Sequence, residues 1–294
     1  MKIGIVGLGL IGGSLGLDLR SLGHQVLGVS RSQQTCRRAI ERGAVDDASV
    51  DIALMARAEV VFVCTPIEAI APTILQLKTH LSPSAIITDV GSVKMLVVTA
   101  VKDLWHNFVP GHPMAGSAES GIEAAQNNLF VGRPYAIATT QTTPEDASEV
   151  IEEIARSLSA KIIKCSPSLH DRAVALISHL PVMTSASLIE TCMQESDEAA
   201  IALAKQLASS GFRDTSRVGG GNPELGVMMA QYNRQELLRA LDAYRQQIDR
   251  SIDYIKREDW AALKELLQQT QLSRPQFLKK TDCDPSSSGQ KSLK

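Results

Sequence analysis

Three glycines near the N-terminus, Gly7, Gly9 and Gly12, carry the first chemical signal in the sequence. They follow a short apolar stretch that ends at Val6 and open a segment of helical character, the context in which G-x-G-x-x-G binds a dinucleotide. Gly7 permits a tight turn, Gly9 lets the backbone approach a pyrophosphate, and Gly12 lets the helix pack on the strand. The unpaired N–H groups and positive end of the helix would hold the phosphates. The alternative is a tight turn without a ligand. We predict that a dinucleotide binds to the segment Gly7-Leu8-Gly9-Leu10-Ile11-Gly12.

The end of the second predicted strand, residues 24–29, indicates which dinucleotide binds. In NAD-binding members of this fold, an acidic side chain at that position accepts hydrogen bonds from the adenosine ribose. Here the sequence is Ser30-Arg31-Ser32, which offers two hydroxyls and a guanidinium where a carboxylate would repel a phosphate. The segment therefore favours NADP. The alternative is that Arg31 is only a solvated surface residue.

Alternating strands and helices position these residues. Apolar or β-branched runs at 3–6, 24–29, 60–63 and 85–89 are each followed by a segment long enough for a helix. This alternation predicts a Rossmann-type, doubly wound and mainly parallel sheet, whose ligands lie beyond the carboxyl ends of the strands. The turns after these strands are therefore expected to line the cofactor cleft with Cys64, Thr65, Pro66 and Gly91.

The α/β pattern ends near residue 165, after further predicted strands at 135–138 and 161–163. From residue 168 onward the sequence consists of amphipathic helical segments, interrupted at Gly211-Phe212 and at 219–223. We predict an α/β domain over 1–165, an all-α substrate and dimerisation domain over 166–278, and a disordered polar tail over 279–294. The helical domain is expected to form a homodimer.

Composition limits the class of partner. The chain has 294 residues and a net charge of −2, so it has no long-range field for nucleic acid or anionic membranes. No apolar run reaches membrane-spanning length without glycine or charge. The five cysteines are widely spaced, with neither a C-x-x-C pair nor a disulfide framework. We therefore expect a cytoplasmic protein with a small-molecule substrate, and no metal, nucleic-acid or membrane partner.

Four further segments carry a family resemblance. They are Gly111-His112-Pro113-Met114-Ala115-Gly116-Ser117, Asp89-Val90-Gly91-Ser92-Val93-Lys94, Ser178-His179-Leu180-Pro181, and the late Arg217. Together with the glycine turn, they resemble the prephenate/arogenate dehydrogenase family of tyrosine biosynthesis over about residues 1–275. The G-H-P-M-A-G segment is the most specific of them, because the glycine turn is shared by many Rossmann dehydrogenases.

The resemblance implies oxidative decarboxylation of a cyclohexadienol. Hydride leaves the ring carbon that bears the hydroxyl, and carbon dioxide departs as the ring becomes aromatic. His112 matches the family's catalytic histidine, and a neutral imidazole is suited to accept the hydroxyl proton. Ser92 matches a serine that hydrogen-bonds the substrate hydroxyl or the histidine; it could also cap a helix that starts at Val93. Lys94 is expected to face solvent.

The resemblance also implies a substrate pocket. His179 and Ser117 match positions near the substrate, and Arg217 matches the arginine that recognises a substrate carboxylate, for which a planar guanidinium is well suited. Asp214 is included with them, although an internal pair between Arg213 and Asp214 competes with that assignment.

One residue departs from the family pattern. Many relatives have an acidic residue directly after the hydroxyl residue at 117, whereas this chain has Ala118 and places Glu119 one position later. This difference puts in doubt the transfer of substrate preference from relatives. The compact chain with its NADP-like segment leans toward arogenate, which carries an ammonium where prephenate carries a ketone oxygen. Prephenate dehydrogenase, another two-domain hydroxyacid dehydrogenase and a non-catalytic NADP sensor are the alternatives; residues 166–190 lack the lysine that a β-hydroxyacid dehydrogenase would use.

Overall fold

A computed structural model describes residues 1–117 and 119–278 of the chain. Its N-terminal part is built on a six-stranded, wholly parallel sheet with the strand order β3-β2-β1-β4-β5-β6. The strands are β1 (Lys2–Val6), β2 (Gln25–Val29), β3 (Asp47–Ser49), β4 (Val60–Val63), β5 (Ile86–Asp89) and β6 (Phe108–Val109). The helices between them are α1 (Leu10–Ser21), α2 (Gln33–Glu41), α3 (Ile67–Leu77) and α4 (Met95–Val101). The predicted doubly wound α/β fold is confirmed.

The central strands are apolar on both faces because helices cover both sides of the sheet. Along β4, Val60 and Phe62 enter one buried cluster, whereas Val61 and Val63 enter a second one. This alternation follows from the two-residue period of a strand. The chain leaves β1 for β2 on one side and later returns to place β4 on the other side. The carboxyl ends of β1 and β4 therefore flank the switch point at which such sheets bind ligands.

A second, smaller sheet follows, which the sequence pattern did not predict as a separate unit. It contains β7 (Gly111–Pro113), β8 (Pro134–Ile137) and β9 (Lys161–Lys164), with β7 antiparallel to β8 and β8 parallel to β9. Helix α5 (Glu145–Ser157) connects β8 to β9. His112 is the middle residue of β7 and pairs with Ala136. His112 thus lies within a strand, and the pairing with β8 fixes the backbone on both sides of it.

The remainder is helical, as predicted. The helices are α6 (Pro167–Val174), α7 (Leu180–Met193), α8 (Glu198–Leu207), α9 (Ser210–Ser216), α10 (Pro223–Tyr232), α11 (Arg234–Lys256) and α12 (Trp260–Phe277). One turn of π-helix, Ala175–His179, joins α6 to α7. Gly211 and Phe212 lie inside α9, so the predicted interruption there is wrong; the break falls at Ala208 and Ser209. The chain forms one compact unit over 1–234 and a second from Gln235 onward. The predicted tail at 279–294 lies outside the described residues.

Helix 167–193, which comprises α6, the π-turn and α7, is long and apolar enough by composition alone to cross a bilayer, with a mean hydropathy of 1.4. However, it buries His170, Asp171 and His179, and all three make hydrogen bonds inside the protein. These three side chains therefore belong to the hydrogen-bond network of the fold, whereas apolar side chains such as Leu169 and Ile177 are exposed.

Candidate active site

The glycine turn has the geometry that a dinucleotide requires. Gly7 has a φ of +104°, which side-chain-bearing residues rarely adopt. A Cβ on Gly12 would lie 2.0 Å from the Gly7 carbonyl oxygen, so this glycine is needed for close packing of α1 on β1. A Cβ on Gly9 would meet no protein atom within 4 Å. Gly9 is thus not required by the packing of the protein, and the open space over it fits a phosphate that approaches the backbone at the N-terminus of α1.

The segment after β2 has only part of its polar groups free. Ser32 caps α2, because its Oγ accepts a hydrogen bond from the Thr35 N–H at 3.3 Å. The Ser30 Oγ accepts a long hydrogen bond of 3.4 Å from the Ser32 N–H. Arg31 is exposed, and its guanidinium has no partner among residues 1–117 and 119–278. Ser30 and Arg31 are therefore available to an adenosine phosphate, and Ser32, whose oxygen caps α2, keeps its O–H donor.

Two buried hydroxyls lack partners at the ends of the neighbouring strands β4 and β5. Thr65 Oγ1 and Ser92 Oγ are inaccessible to solvent and have no hydrogen-bond partner within the described part of the chain. A buried polar atom without a hydrogen-bond partner destabilises the folded state. Two such hydroxyls at the carboxyl edge of a parallel sheet therefore fit a site for a polar ligand. Cys64 precedes them, and burial raises the pKa of its thiol, which stays neutral. Pro66 is the exposed N-cap of α3, and Gly91 donates its N–H to Asp89 Oδ2 at 2.8 Å.

A chain of hydrogen bonds runs from His112 to a buried carboxylate. His112 Nδ1 lies 2.9 Å from His170 Nε2, and His170 Nδ1 lies 2.8 Å from Asp171 Oδ1. The same carboxylate also accepts backbone N–H groups from Lys94 at 2.7 Å and Met95 at 2.8 Å. A carboxylate can only accept, so His170 donates from Nδ1, and as a neutral imidazole it accepts at Nε2. His112 then donates from Nδ1, which leaves its Nε2 lone pair free to take a proton.

The surroundings keep His112 neutral. Burial lowers the pKa of this imidazole well below its usual value, and the positive charge of Lys94 lowers it further, with smaller contributions from His170 and His179. A neutral imidazole is the form that can accept a proton. The arrangement can therefore perform general-base chemistry at the carboxyl end of β5, where Gly111 hydrogen-bonds to Asp89.

The expectation that Lys94 faces solvent is wrong. Its side chain is completely buried, and Nζ donates to Asp89 Oδ2 and to the Gly111 carbonyl oxygen, the latter at 2.6 Å. The proposed capping role of Ser92 is also wrong: α4 begins at Met95, and the carboxylate of Asp171 in α6 supplies the cap by accepting the N–H groups of Lys94 and Met95. A capping partner 77 positions along the chain from Lys94 could not be recognised from local sequence.

The π-turn places His179 beside this network. Asn233 Nδ2 donates to the Asp171 carbonyl oxygen at 2.8 Å and lies 3.2 Å from His179 Nδ1. The amide thus uses both of its hydrogens and requires an unprotonated Nδ1 on His179. Burial lowers the pKa of His179 to about 4, against a smaller opposing effect of Asp171. Wide turns of this kind are frequent at functional sites, because they displace one side chain from the regular helical position.

The other residues predicted to bind substrate are on the surface. Arg217 follows α9 and is exposed, with no partner for its guanidinium among residues 1–117 and 119–278. Arg213 and Asp214 form the exposed ion pair that the sequence offered as an alternative, at 3.1 Å. Ser117 is exposed and accepts the N–H of Glu119 at 3.2 Å, whereas Ala118 lies outside the described residues. None of these four side chains hydrogen-bonds to His112 within the described part of the chain.

Helix α9 is nevertheless anchored to the segment that carries His179. Ser185 Oγ donates to the Thr215 carbonyl oxygen at 2.6 Å, and a Cβ on Gly219 would lie 2.4 Å from the Ala186 nitrogen. Ser185 is six residues after His179 in the same helix, which corresponds to about 9 Å along the axis. Arg217 is therefore held near the helix that contains the site.

Sequence reasoning missed three buried side chains of the site, His170, Asp171 and Asn233. Adjacent His and Asp residues just after the Ser166-Pro167 helix start were a usable signal, because they place an imidazole next to a carboxylate near the start of a helix. Asn233 had no such signal, since its role depends on the return of α10 toward α6.

A glycine turn for a dinucleotide, a parallel sheet with a helical segment, and a histidine held as a neutral base define a dinucleotide-dependent dehydrogenase. Residues 15–164 match the prephenate dehydrogenase nucleotide-binding domain, and residues 166–269 match the prephenate dehydrogenase dimerization domain. The chain belongs to the prephenate/arogenate dehydrogenase family of oxidoreductases.

Individual relatives agree with this assignment. The chain is 52% identical to Synechocystis arogenate dehydrogenase, covering 94% of this chain and 100% of that structure with a TM-score of 0.86. Prephenate dehydrogenase from A. aeolicus, solved in complex with hydroxyphenyl propionate and NAD+, is 26% identical with a TM-score of 0.88 over 94% and 98% of the two chains. Prephenate dehydrogenase of Bacillus subtilis is 32% identical over 87% of this chain and 70% of its own length.

Proposed function

We propose that this protein converts arogenate to tyrosine by NADP-dependent oxidative decarboxylation. The observation that carries the proposal is the hydrogen-bond chain from His112 through His170 to the carboxylate of Asp171: with a neutral His170, Nε2 of His112 is a free acceptor. A ring alcohol that loses hydride must also lose its hydroxyl proton, and His112 Nε2 is the group suited to accept it.

Each residue then has a distinct task. His112 accepts the proton of the ring hydroxyl, and the unpaired hydroxyl of Ser92 hydrogen-bonds the same oxygen or the imidazole. Arg217 binds a substrate carboxylate, and His179, Ser117 and Asp214 complete the substrate contacts. Loss of hydride and of the hydroxyl proton turns the ring carbinol into a carbonyl. Carbon dioxide then leaves the ring, and the electron pair of the broken C–C bond makes the ring aromatic as its oxygen takes back a proton.

The cofactor would be held at the switch point of the sheet. The glycine turn 7–12 would bind the pyrophosphate, the turn 64–66 and Gly91 would line the remaining cleft, and Ser30, Arg31 and Ser32 would face the adenosine ribose. When bound, the nicotinamide supplies the acceptor for hydride. The absence of a carboxylate after β2 and the free guanidinium of Arg31 support NADP over NAD, because both favour an added phosphate.

Similarity supports arogenate as substrate, since the chain is 52% identical to an arogenate dehydrogenase and 32% identical to a prephenate dehydrogenase. The match to a dimerization domain supports a homodimer formed by residues 166–278, next to a nucleotide-binding domain over 1–165. The four cysteines of the described residues are all free thiols, which is consistent with a reducing cytoplasm.

The experiment is an initial-rate assay of NADPH formation with arogenate and with prephenate, each also tested with NAD. We expect the highest kcat/KM for arogenate with NADP. A higher kcat/KM for prephenate would make prephenate the substrate instead of arogenate. No turnover with either compound would contradict the proposal.

The variant that tests the base is His112→Asn. It keeps a polar side chain on β7 but removes the proton acceptor, so kcat should fall on the order of 10²–10⁴-fold while NADP binding is retained. His106→Asn, which replaces a histidine without hydrogen-bond partners in the described residues, is the matched control. Turnover by H112N close to that of the wild type would remove His112 from the reaction.

A further inference from the structure

An ion pair lies completely buried next to His112. The side chains of Lys94 and Asp89 both have 0% exposure. Removing two charges from water costs several kcal/mol per ion, and mutual attraction repays this only when further hydrogen bonds satisfy both groups. Burial accordingly lowers the pKa of the Lys94 ammonium, with Asp89 opposing that effect. Such a pair is an inefficient way to stabilise a fold, so its contacts indicate what else it does.

The first set of contacts holds the backbone just before His112. Lys94 Nζ donates to the Gly111 carbonyl oxygen at 2.6 Å, and Asp89 Oδ1 accepts the Gly111 N–H at 3.2 Å. The backbone N–H and C=O of Gly111, which belong to the peptide groups on either side of its Cα, are therefore both bound by the ion pair. A side chain at position 111 would not fit in this arrangement, because its Cβ would lie 2.8 Å from the Asp89 carbonyl oxygen.

The second set of contacts holds the imidazole. The Lys94 N–H donates to Asp171 at 2.7 Å, Asp171 accepts from His170, and His170 accepts from His112. Lys94 thus contacts both sides of His112. Its Nζ binds the carbonyl group of Gly111, just before His112, and its backbone N–H binds the Asp171 carboxylate that orients the imidazole through His170.

We infer that Lys94 is a positioning residue for His112. The Lys94 ammonium holds Gly111 against Asp89, so that the β7 backbone and the hydrogen bonds of His170 and Asp171 together fix one orientation of the His112 imidazole. This role rests on the proposed function only in that His112 is the base. Lys94 is too deeply bound to be a substrate ligand.

The charge of Lys94 provides a signature that a purely structural role would not have. The charged or titratable groups that act on His112 are Lys94 before α4, His170 in α6 and His179 in the π-turn. Asp89 and Asp171 are hydrogen-bonded to Lys94 and His170, and Tyr135 lies on the paired strand β8. Lys94→Met leaves the negative charge of Asp89 unpaired near His112, so the pKa of the imidazole should rise by about one unit. Asp89→Asn leaves the positive charge unpaired and should lower it.

The test uses the full-length chain carrying K94M, D89N or both changes, with Lys102→Met at the exposed end of α4 as the control. In K94M, kcat should fall on the order of 10–100-fold through misplacement of the base. The acid limb of kcat/KM should move up by about one pH unit. The double variant restores neutrality, so its acid limb should return toward that of the wild type, while kcat stays low because Gly111 has lost its donor.

Wild-type kcat in the double variant, or an unshifted acid limb in K94M, would overturn the inference. If K94M does not fold, the double variant carries the test, since its buried pair is neutral. Titration of the His112 imidazole by NMR in the absence of substrate measures the same pKa shift. It therefore separates a failure of this inference from a failure of the proposed activity, in which the wild type itself would not turn over.

Discussion

Substitution of Gly9 by alanine separates the two uses of the glycine turn. Gly9 has φ −96° and ψ −157°, a conformation that alanine adopts readily, and the new methyl group would meet no protein atom within 4 Å. The folded chain should therefore tolerate Gly9→Ala. Its stability should stay the same or rise by about 0.4–1 kcal/mol, because alanine restricts the unfolded chain.

Cofactor binding should respond in the opposite way. The methyl group occupies the space over the backbone that a pyrophosphate needs, so one or two hydrogen bonds to charged oxygens would lengthen or break. Each of these bonds is worth about 1.5–3 kcal/mol. We therefore expect the Kd for NADP to rise on the order of tenfold to a hundredfold or more.

Gly12→Ala is the matched comparison in the same turn. Its Cβ would lie 2.0 Å from the Gly7 carbonyl oxygen and 3.0 Å from Ile5 Cγ2, so backbone has to move. Overpacking of this kind costs about 1–3 kcal/mol, which lowers Tm by several degrees in a chain of this size. Thermal unfolding without ligand and calorimetric titration with NADP distinguish the two variants. Wild-type affinity in G9A, or a Tm loss equal to that of G12A, would refute the assignment of Gly9 to the ligand.

Three further predictions concern the cofactor, the substrate and pH. Ser30→Asp should weaken NADP relative to NAD by about tenfold, measured as the ratio of kcat/KM values, because a carboxylate repels the additional phosphate. Arg217→Ala should raise the KM for arogenate on the order of tenfold or more with little change in kcat, whereas Arg213→Ala should not. The folded-state pKa of His179, about 4, lies below its ordinary 6.5. The unfolded chain therefore binds more protons, and the free energy of unfolding should fall from pH 6.5 toward pH 4 by up to about 1.4 kcal/mol per unit. In urea titrations, His179→Asn should reduce that slope.

Local sequence predicts those parts of the site in which one short segment supplies all of the residues that determine the geometry. Gly7, Gly9 and Gly12 lie in one turn between β1 and α1, so their spacing was sufficient to predict their geometry. The turns at Cys64 and Ser92 were equally predictable, because β-branched runs lead into the strand ends at Val63 and Asp89, and parallel strands bring their carboxyl ends to one edge.

Lys94 shows why the rest of the site was not predictable in this way. A lysine after a strand and before a helix is ordinarily solvated, because burying an ammonium is unfavourable without a carboxylate and a carbonyl within reach. Here Asp89 is five positions away, but the Gly111 carbonyl is 17 positions away and the Asp171 carboxylate is 77. The Gly111 carbonyl and the Asp171 carboxylate come close to Lys94 only when the second sheet and helix α6 pack against it. The tautomer of His112 has the same origin, since it depends on a carboxylate that local sequence assigns to another domain. A motif can therefore point to a candidate histidine, but the hydrogen bonds and burial that decide its protonation state are properties of the assembled fold.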